Sequence, residues 1–356
     1  MKPDDTALTV SRRQFLGTAA AMALAGRGEA VAVEAGLRPI RVGFLGLAYS
    51  HASEKCRILQ QSPAWELVGA WPETPALARE YADRGLRILT QSEVLERAEV
   101  VVVESEVAQH APLARLALEA GRHVHLEKPP SLRLDDFDAL LRLAREGKRL
   151  LQVGYMWRHH PGLNAVQELI RSGGLGDVFQ VRIAIDNQLA ADRRKEWAQF
   201  PGGVLFELGS HVIDAAVRFF GRPERVTPFL RTLGGAGTDR LADANVAVLE
   251  FARTTVVITC SSLRHNAGAN RSFEFCGTQG NALLQPIEPP NLTLDLATAS
   301  GVHPAGRSTV MLPAYRRYVG ELAELADCVR HSRPLPVSLD QDRTVQETLL
   351  RAVGIN

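Results

Sequence analysis

Between residues 40 and 126 the chain alternates short, continuously apolar runs with stretches patterned for helix. Ile40–Leu45, Trp65–Trp71, Ile88–Thr90, Val100–Val103 and His123–Leu126 read as strands. Ala52–Gln60, Pro75–Arg84, Ser92–Arg97 and Ala111–Ala120 read as helices, the last stopped by Gly121. Strands that are apolar at every position are covered on both faces, as in a parallel sheet flanked by helices. The pattern predicts a doubly wound parallel α/β domain over 38–155.

Past about residue 155 the texture changes. Val178–Asp186, Val246–Phe251, Thr254–Ser261, Ser272–Gly277 and Asn281–Gln285 are β-rich. They are joined by one strongly apolar helix at Val204–Phe220 and an amphipathic one at Tyr315–Arg330. Strands outnumber helices, so 156–356 is expected to form an α+β domain on a large, mainly antiparallel, open-faced sheet. Pro286–Pro290 and Gly301–Gly306 read as surface loops.

Composition narrows the class. The 356 residues carry 41 Lys+Arg against 40 Asp+Glu, a formal charge of +1, and 46% are hydrophobic. With no Lys/Arg block, there is no electrostatic footprint for nucleic acid. The apolar content excludes disorder, and no apolar run reaches the roughly 18 residues needed to span a bilayer. Cys56, Cys260, Cys276 and Cys328 show no Cys-x-x-Cys spacing, so free thiols are expected.

The N-terminus stands apart. Ser11-Arg12-Arg13-Gln14-Phe15-Leu16-Gly17 precedes a small, mildly apolar stretch from Thr18 to Ala25, and Ala30-Val31-Ala32 has the form of a cleavage site. We read 1–32 as an export segment and not as fold. The Arg pair followed by Phe-Leu resembles the twin-arginine signal, which implies folding in the cytoplasm first, the twin-arginine export machinery as a partner, and a periplasmic or exported destination. Its removal leaves equal numbers of acidic and basic residues. Such neutrality suits a small, uncharged, carbohydrate-like ligand.

Val42-Gly43-Phe44-Leu45-Gly46-Leu47-Ala48-Tyr49-Ser50-His51 joins the first strand to the first helix, where a dinucleotide-binding turn belongs. Only Gly46 fits the G-x-G-x-x-G template; Ala48 and His51 stand at the second and third glycine positions. After the second strand, Pro72 occupies the expected place of a ribose-binding carboxylate, with Glu73 just beyond, so NAD and NADP are not distinguished. In His123-Val124-His125-Leu126-Glu127-Lys128-Pro129-Pro130, the Lys ends a parallel strand at the crevice where such sheets bind ligands. A cis bond before Pro129 is compatible with this turn. Glu207, His211 and Asp214 fall at i, i+4 and i+7 on the apolar helix, a titratable stripe that must satisfy itself or face a cleft. A carboxylate beside an imidazole fixes its tautomer and raises its pKa, which suits the transfer of a hydroxyl proton.

Three ordered stretches resemble the Gfo/Idh/MocA oxidoreductases, proteins like glucose–fructose oxidoreductase and inositol dehydrogenase. They are Ala117–Pro129 with its Glu127-Lys128-Pro129, Gln152–Arg158, and Gly202–Asp214, and the resemblance spans about residues 40–350. It implies a Rossmann domain, NAD or NADP as cofactor, and action on a sugar, polyol or related secondary alcohol. It further implies that Lys128 polarises the reacting oxygen, that His211 is the acid/base, and that Glu207 partners His211 where the family usually has Asp. Cofactor contacts are implied for Gly43, Gly46, Ala48, His51, Glu73, Ser105, His110, Glu127 and Lys128, and substrate contacts for Tyr155, Arg158 and Asp214. Open sheets in this family imply a homo-oligomer. Export implies a tightly bound cofactor, because free nicotinamide nucleotide is scarce outside the cytoplasm.

His123, His125 and Glu127 alternate on one strand face at metal-ligand spacing, but no further cluster completes a shell, so no metal is expected. Two other outcomes stay open on this scaffold. One is an NAD-dependent glycosidase or lyase that oxidises transiently with no net redox. The other is a catalytically silent nucleotide- or sugar-binding relative, for which Ala48, His51 and Pro72 argue.

Overall fold

Ten elements alternate through the first half: β1 (Ile40–Leu45), α1 (Ala52–Gln61), β2 (Trp65–Trp71), α2 (Pro75–Asp83), α3 (Gln91–Arg97), β3 (Val100–Val103), α4 (Val107–Glu119), β4 (His123–Leu126), α5 (Leu134–Glu146) and β5 (Leu151–Val153). This architecture is that of a computed structural model in which residues 38–234 and 239–355 are described. The expected export segment, 1–32, lies outside the described residues.

The five strands form one parallel sheet in the order β2-β1-β3-β4-β5. The four valines of β3 are all buried, which is why the run carries no polar alternation. Ile88 adds a one-residue parallel bridge to Ala70 outside β2, the remnant of the strand expected at Ile88–Thr90. With that bridge counted, the order is that of a dinucleotide-binding sheet, and its direction of growth reverses between β1 and β3. The loops after β1, β3 and β4 therefore gather over one crevice. Local chemistry sets several helix starts: Thr74 caps α2 ahead of Pro75, and Thr90 with Glu93 forms a capping box on α3.

The second half contains α6 (Pro161–Arg171), β6 (Val178–Ala184), α7 (Ala191–Trp197), α8 (Val204–Glu207), α9 (Ser210–Phe220) and β7 (Arg225–Phe229). It continues through β8 (Ala244–Glu250), β9 (Thr255–Ser261), β10 (Ser272–Gly277), β11 (Gly280–Leu284), β12 (Leu292–Leu296) and β13 (Gly306–Val310) to α10 (Val319–Arg330) and α11 (Leu339–Ala352). Eight strands form a sheet in the order β13-β12-β11-β10-β6-β9-β8-β7, antiparallel except where β6 meets β9. Alternate residues such as Val256, Ile258, Phe273 and Phe275 are buried, and their neighbours face the other side. Both sheets belong to one compact unit, Pro39–Asn356.

Three expectations need correction. The apolar helix expected as one piece at Val204–Phe220 is two, α8 and α9, broken at Leu208–Gly209. At the break, the Glu207 carbonyl accepts from Lys128 Nζ (3.1 Å) and Ser210 Oγ (3.0 Å). The late helix starts at Val319 rather than Tyr315, because Tyr318 adopts a left-handed conformation (φ 66°). Gly306 opens β13 instead of closing a loop. Helix α11 was not predicted at all. Its buried positions include Asp342, Gln346 and Thr348, which hide the apolar stripe.

Phe273 joins the sheet core to the site, stacking at 6.2 Å on Phe275 and lying edge-on at 6.0 Å to Trp157. Phe273→Ala is expected to lower the unfolding free energy by about 3–5 kcal/mol in urea titration, the usual cost of emptying a fully buried aromatic position.

Candidate functional site

The crevice is assembled from three strand ends. Gly46 turns the chain at φ +88°, and a Cβ there would lie 2.6 Å from Ser105 Cβ and 2.7 Å from Glu73 Oε1. Only glycine fits both the conformation and the space. Glu73 reaches across this turn from beyond β2, its carboxylate accepting from the N–H of Leu47 (2.8 Å) and of Ala48 (3.4 Å). Helix α1 then begins just after His51, with no side chain capping its first N–H groups, the end at which a pyrophosphate is held. A glycine-only turn and a carboxylate on it fit a dinucleotide. Gly43, by contrast, lies inside β1 against Val94, Val68 and Ala98, and not in the turn.

Beneath the turn lies a buried ionic cluster that was not foreseen. Lys55, in the first turn of α1, donates to Glu104 Oε1 and Glu127 Oε2 (2.7 Å each) and lies 2.8 Å from His125 Nε2 and 3.6 Å from Glu321. Burial would strip the Lys55 proton, but Glu104, Glu127 and Glu321 outweigh it and hold the ammonium charged. Burial would also raise Glu127, yet Lys55 and His51, with its Nδ1 at 3.1 Å, keep it ionised. His125 is pushed down to about 3 by burial and Lys55, so its ring is neutral, bridging Lys55 and Gln152 Oε1. His123 accepts from the Leu150 N–H instead of sharing a site with His125. His110 ties two turns together, 2.7 Å from the Pro129 carbonyl and 3.0 Å from that of Ser105.

Lys128 follows across a cis bond to Pro129. Its Nζ donates to Glu207 Oε1 (2.7 Å) and lies 5.2 Å from the Tyr49 ring centre, while the Tyr49 hydroxyl donates to the same Glu207 oxygen. Glu207 therefore partners Lys128 and Tyr49 rather than His211, because the break between α8 and α9 turns its side chain away from the i+4 position. His211 Nδ1 is buried without a partner, and its ring lies between Trp157 (5.3 Å) and Tyr155 (6.2 Å). Burial, then the Lys128 charge, depresses His211 well below the ordinary histidine range, so it is neutral near pH 7. The Tyr155 hydroxyl is also buried and unpartnered. Arg158 and Asp214 face each other (2.6 Å), and Arg158 also reaches Asp342 on α11 (2.5 Å), which closes this group off as a brace behind Tyr155.

The structure thus brings Lys128, Glu207, His211, Glu127, His51, Tyr155 and the Gly46 turn together around one crevice. Sequence reasoning missed Tyr49, Lys55, Glu104 and Glu321. The available signals were faint: a Lys one helical turn after His51, and a Glu closing a run of four valines.

Residues 40–155 match the oxidoreductase family with an NAD-binding Rossmann fold, and residues 163–283 match the GFO/IDH/MocA C-terminal domain. The chain belongs to the Gfo/Idh/MocA oxidoreductase family. It is an NAD(P)-dependent oxidoreductase family enzyme. It is 27% identical over 309 residues to dTDP-3,4-didehydro-2,6-dideoxy-alpha-D-glucose 3-reductase of Streptomyces violaceoruber, covering 83% of this chain and 87% of that one. It is 30% identical over 196 residues to scyllo-inositol 2-dehydrogenase (NADP(+)) of Bacillus subtilis, covering 53% and 54%. Among solved structures, aldose-aldose oxidoreductase from Caulobacter crescentus, complexed with glycerol, shares the fold at a TM-score of 0.76 and 20% identity, covering 89% and 98%.

Four buried carboxylates, Glu104, Glu127, Glu207 and Glu321, face two ammonium groups, Lys55 and Lys128. The excess is relieved by protons: burial pushes Glu104 upward, and lifts Glu321 to about 7. A folded-state value above the unfolded one means that the native protein binds the proton more tightly. That stability is lost as the pH rises from about 4 to about 7. Glu321→Gln should flatten this decline and exceed the wild type above pH 7 by on the order of 2 kcal/mol, read from urea midpoints at several pH values. Parallel pH profiles for the two proteins would refute it.

Proposed function

We propose that this enzyme moves a hydride between NAD and a sugar, polyol or related secondary alcohol. The observation that carries the reading is the convergence of Lys128, the Glu207–Tyr49 pair and an unpartnered His211 over the glycine turn. When bound, the nicotinamide supplies or takes the hydride. Lys128, held by Glu207, stabilises negative charge on the reacting oxygen. His211, neutral and with Nδ1 free, accepts or returns the hydroxyl proton. Relatives named for a dideoxy-sugar reductase and an inositol dehydrogenase support the substrate class.

Glu73 argues for NAD over NADP. Its carboxylate sits on the first turn of the nucleotide site, where it would accept from a ribose hydroxyl and repel a 2′-phosphate. The twin-arginine motif at Arg12 and Arg13 supports export after folding, and with it a cofactor retained and recycled in the site. Exposed apolar side chains on the large sheet, Phe179 on β6 and Phe229 on β7, support a homo-oligomer.

Lys128→Ala is expected to keep NAD binding, followed by fluorescence titration, while turnover falls by at least about a hundredfold. Full turnover in that variant would sink the assignment. Glu73→Ser should cost about tenfold in kcat/KM with NAD and improve use of NADP. The double change Arg12→Lys, Arg13→Lys should leave the protein in the cytoplasmic fraction of its host, whereas the unaltered chain is recovered from the periplasm.

A further inference from the structure

Trp157 lies across His211, and its indole N–H donates to Glu288 Oε1 (2.8 Å). The other oxygen of Glu288 accepts from Arg317 Nε (2.5 Å), so Arg317 is neutralised at the edge of the His211 pocket. Asp186, two residues past β6, is likewise engaged: it accepts from the Ser261 N–H and from Arg264 Nη1, both at 2.9 Å.

Arg271 differs from these. It heads β10, is half-buried, and its Nε donates to the carbonyl of Asp186 (2.8 Å), not to a carboxylate. Among the described residues no carboxylate stands within ion-pair distance of it. Its terminal guanidinium nitrogens make no bond to the chain and are not sealed away. Strand alternation puts Arg271 on the same face of the sheet as Phe273, which lies edge-on to Trp157, the ring that lies across His211. Lys128 cancels with Glu207, Arg317 with Glu288, and Arg264 with Asp186. Among these four cations Arg271 alone has no carboxylate in contact, although Glu288 and Asp186 are near enough to favour its charge. A guanidinium held at Nε, with its terminal nitrogens open and no carboxylate in contact, is placed to pair with an acidic group.

We propose that Arg271 receives an acidic group of the substrate, so that the sugar acted on is anionic rather than neutral. A guanidinium fork matches a carboxylate or a phosphate equally in charge and planarity. Anchoring that group at Arg271 turns the rest of the sugar toward Lys128 and His211. The inference rests on the redox reading of that site for the identity of the sugar, but the charge preference stands on Arg271 alone.

The test is calorimetric titration of D-glucose, D-glucuronate and D-glucose 6-phosphate into the purified protein, with and without NAD. At least one acid is expected to bind about ten times or more as tightly as glucose, the scale of a charge-assisted bond. The stronger acid distinguishes carboxylate from phosphate recognition. Arg271→Gln should erase this preference without changing glucose or NAD binding, and Arg271→Lys should restore part of it. Lys128→Ala should keep the preference despite losing turnover. Equal affinity for glucose and both acids, no binding by either acid, or an unchanged preference in Arg271→Gln would overturn the proposal. Failure to bind any nicotinamide nucleotide would instead remove the redox reading, with the acid preference of the NAD-free protein still measurable.

Discussion

A single ammonium group, that of Lys55, holds the crevice in shape. It reaches from the helix after β1 to the ends of β3 and β4 and toward α10, so four segments distant in sequence share one charge. Burying an ion costs several kcal/mol, and here the cost is offset only because Glu104 and Glu127 both reach hydrogen-bonding distance. Remove the ammonium and two carboxylates are left in a water-poor interior. The turn that carries Gly46 and the turn that carries Lys128 are thereby set against one another before any ligand arrives.

A second ion pair, Lys128 with Glu207, links the parallel half of the molecule to the helices of the other half. The two pairs are neighbours but differ in what surrounds them. Lys55 is enclosed by carboxylates, whereas Lys128 borders an aromatic ring, a hydroxyl and an imidazole with an idle nitrogen. The first arrangement stores charge; the second leaves charge available to a reacting oxygen.

Much of this was legible in the chain. The apolar runs of β1 to β4 announced a parallel sheet because strands covered on both faces have no reason to alternate. Lys128 was legible because a strand end followed by two prolines has one place to be in such a sheet. The limits are equally physical. Spacing of i and i+4 predicted a Glu207–His211 pair, but spacing only binds residues while the helix is continuous, and Gly209 and the diverted Glu207 carbonyl end it. Lys55, Glu104 and Glu321 find each other across long stretches of chain that no local pattern connects. In α11, buried Asp342 and Gln346 serve Arg158 and the Ser131 carbonyl, so the helix reads as polar although that face is interior.

The parallel contact between β6 and β9 has a consequence for how this protein can change. Everything from Ile185 to Thr254, including Glu207 and His211, is one excursion between two strands that lie side by side. Both feet of the excursion are pinned by the same ladder of hydrogen bonds. The loops within it can lengthen or shorten while the ladder stays in register, whereas β7, β8 and the buried faces of α8 and α9 belong to the sheet and the core. Glu207 and His211 thus ride on helices held between two fixed strands, and the loops that flank them can vary without the sheet having to be folded anew.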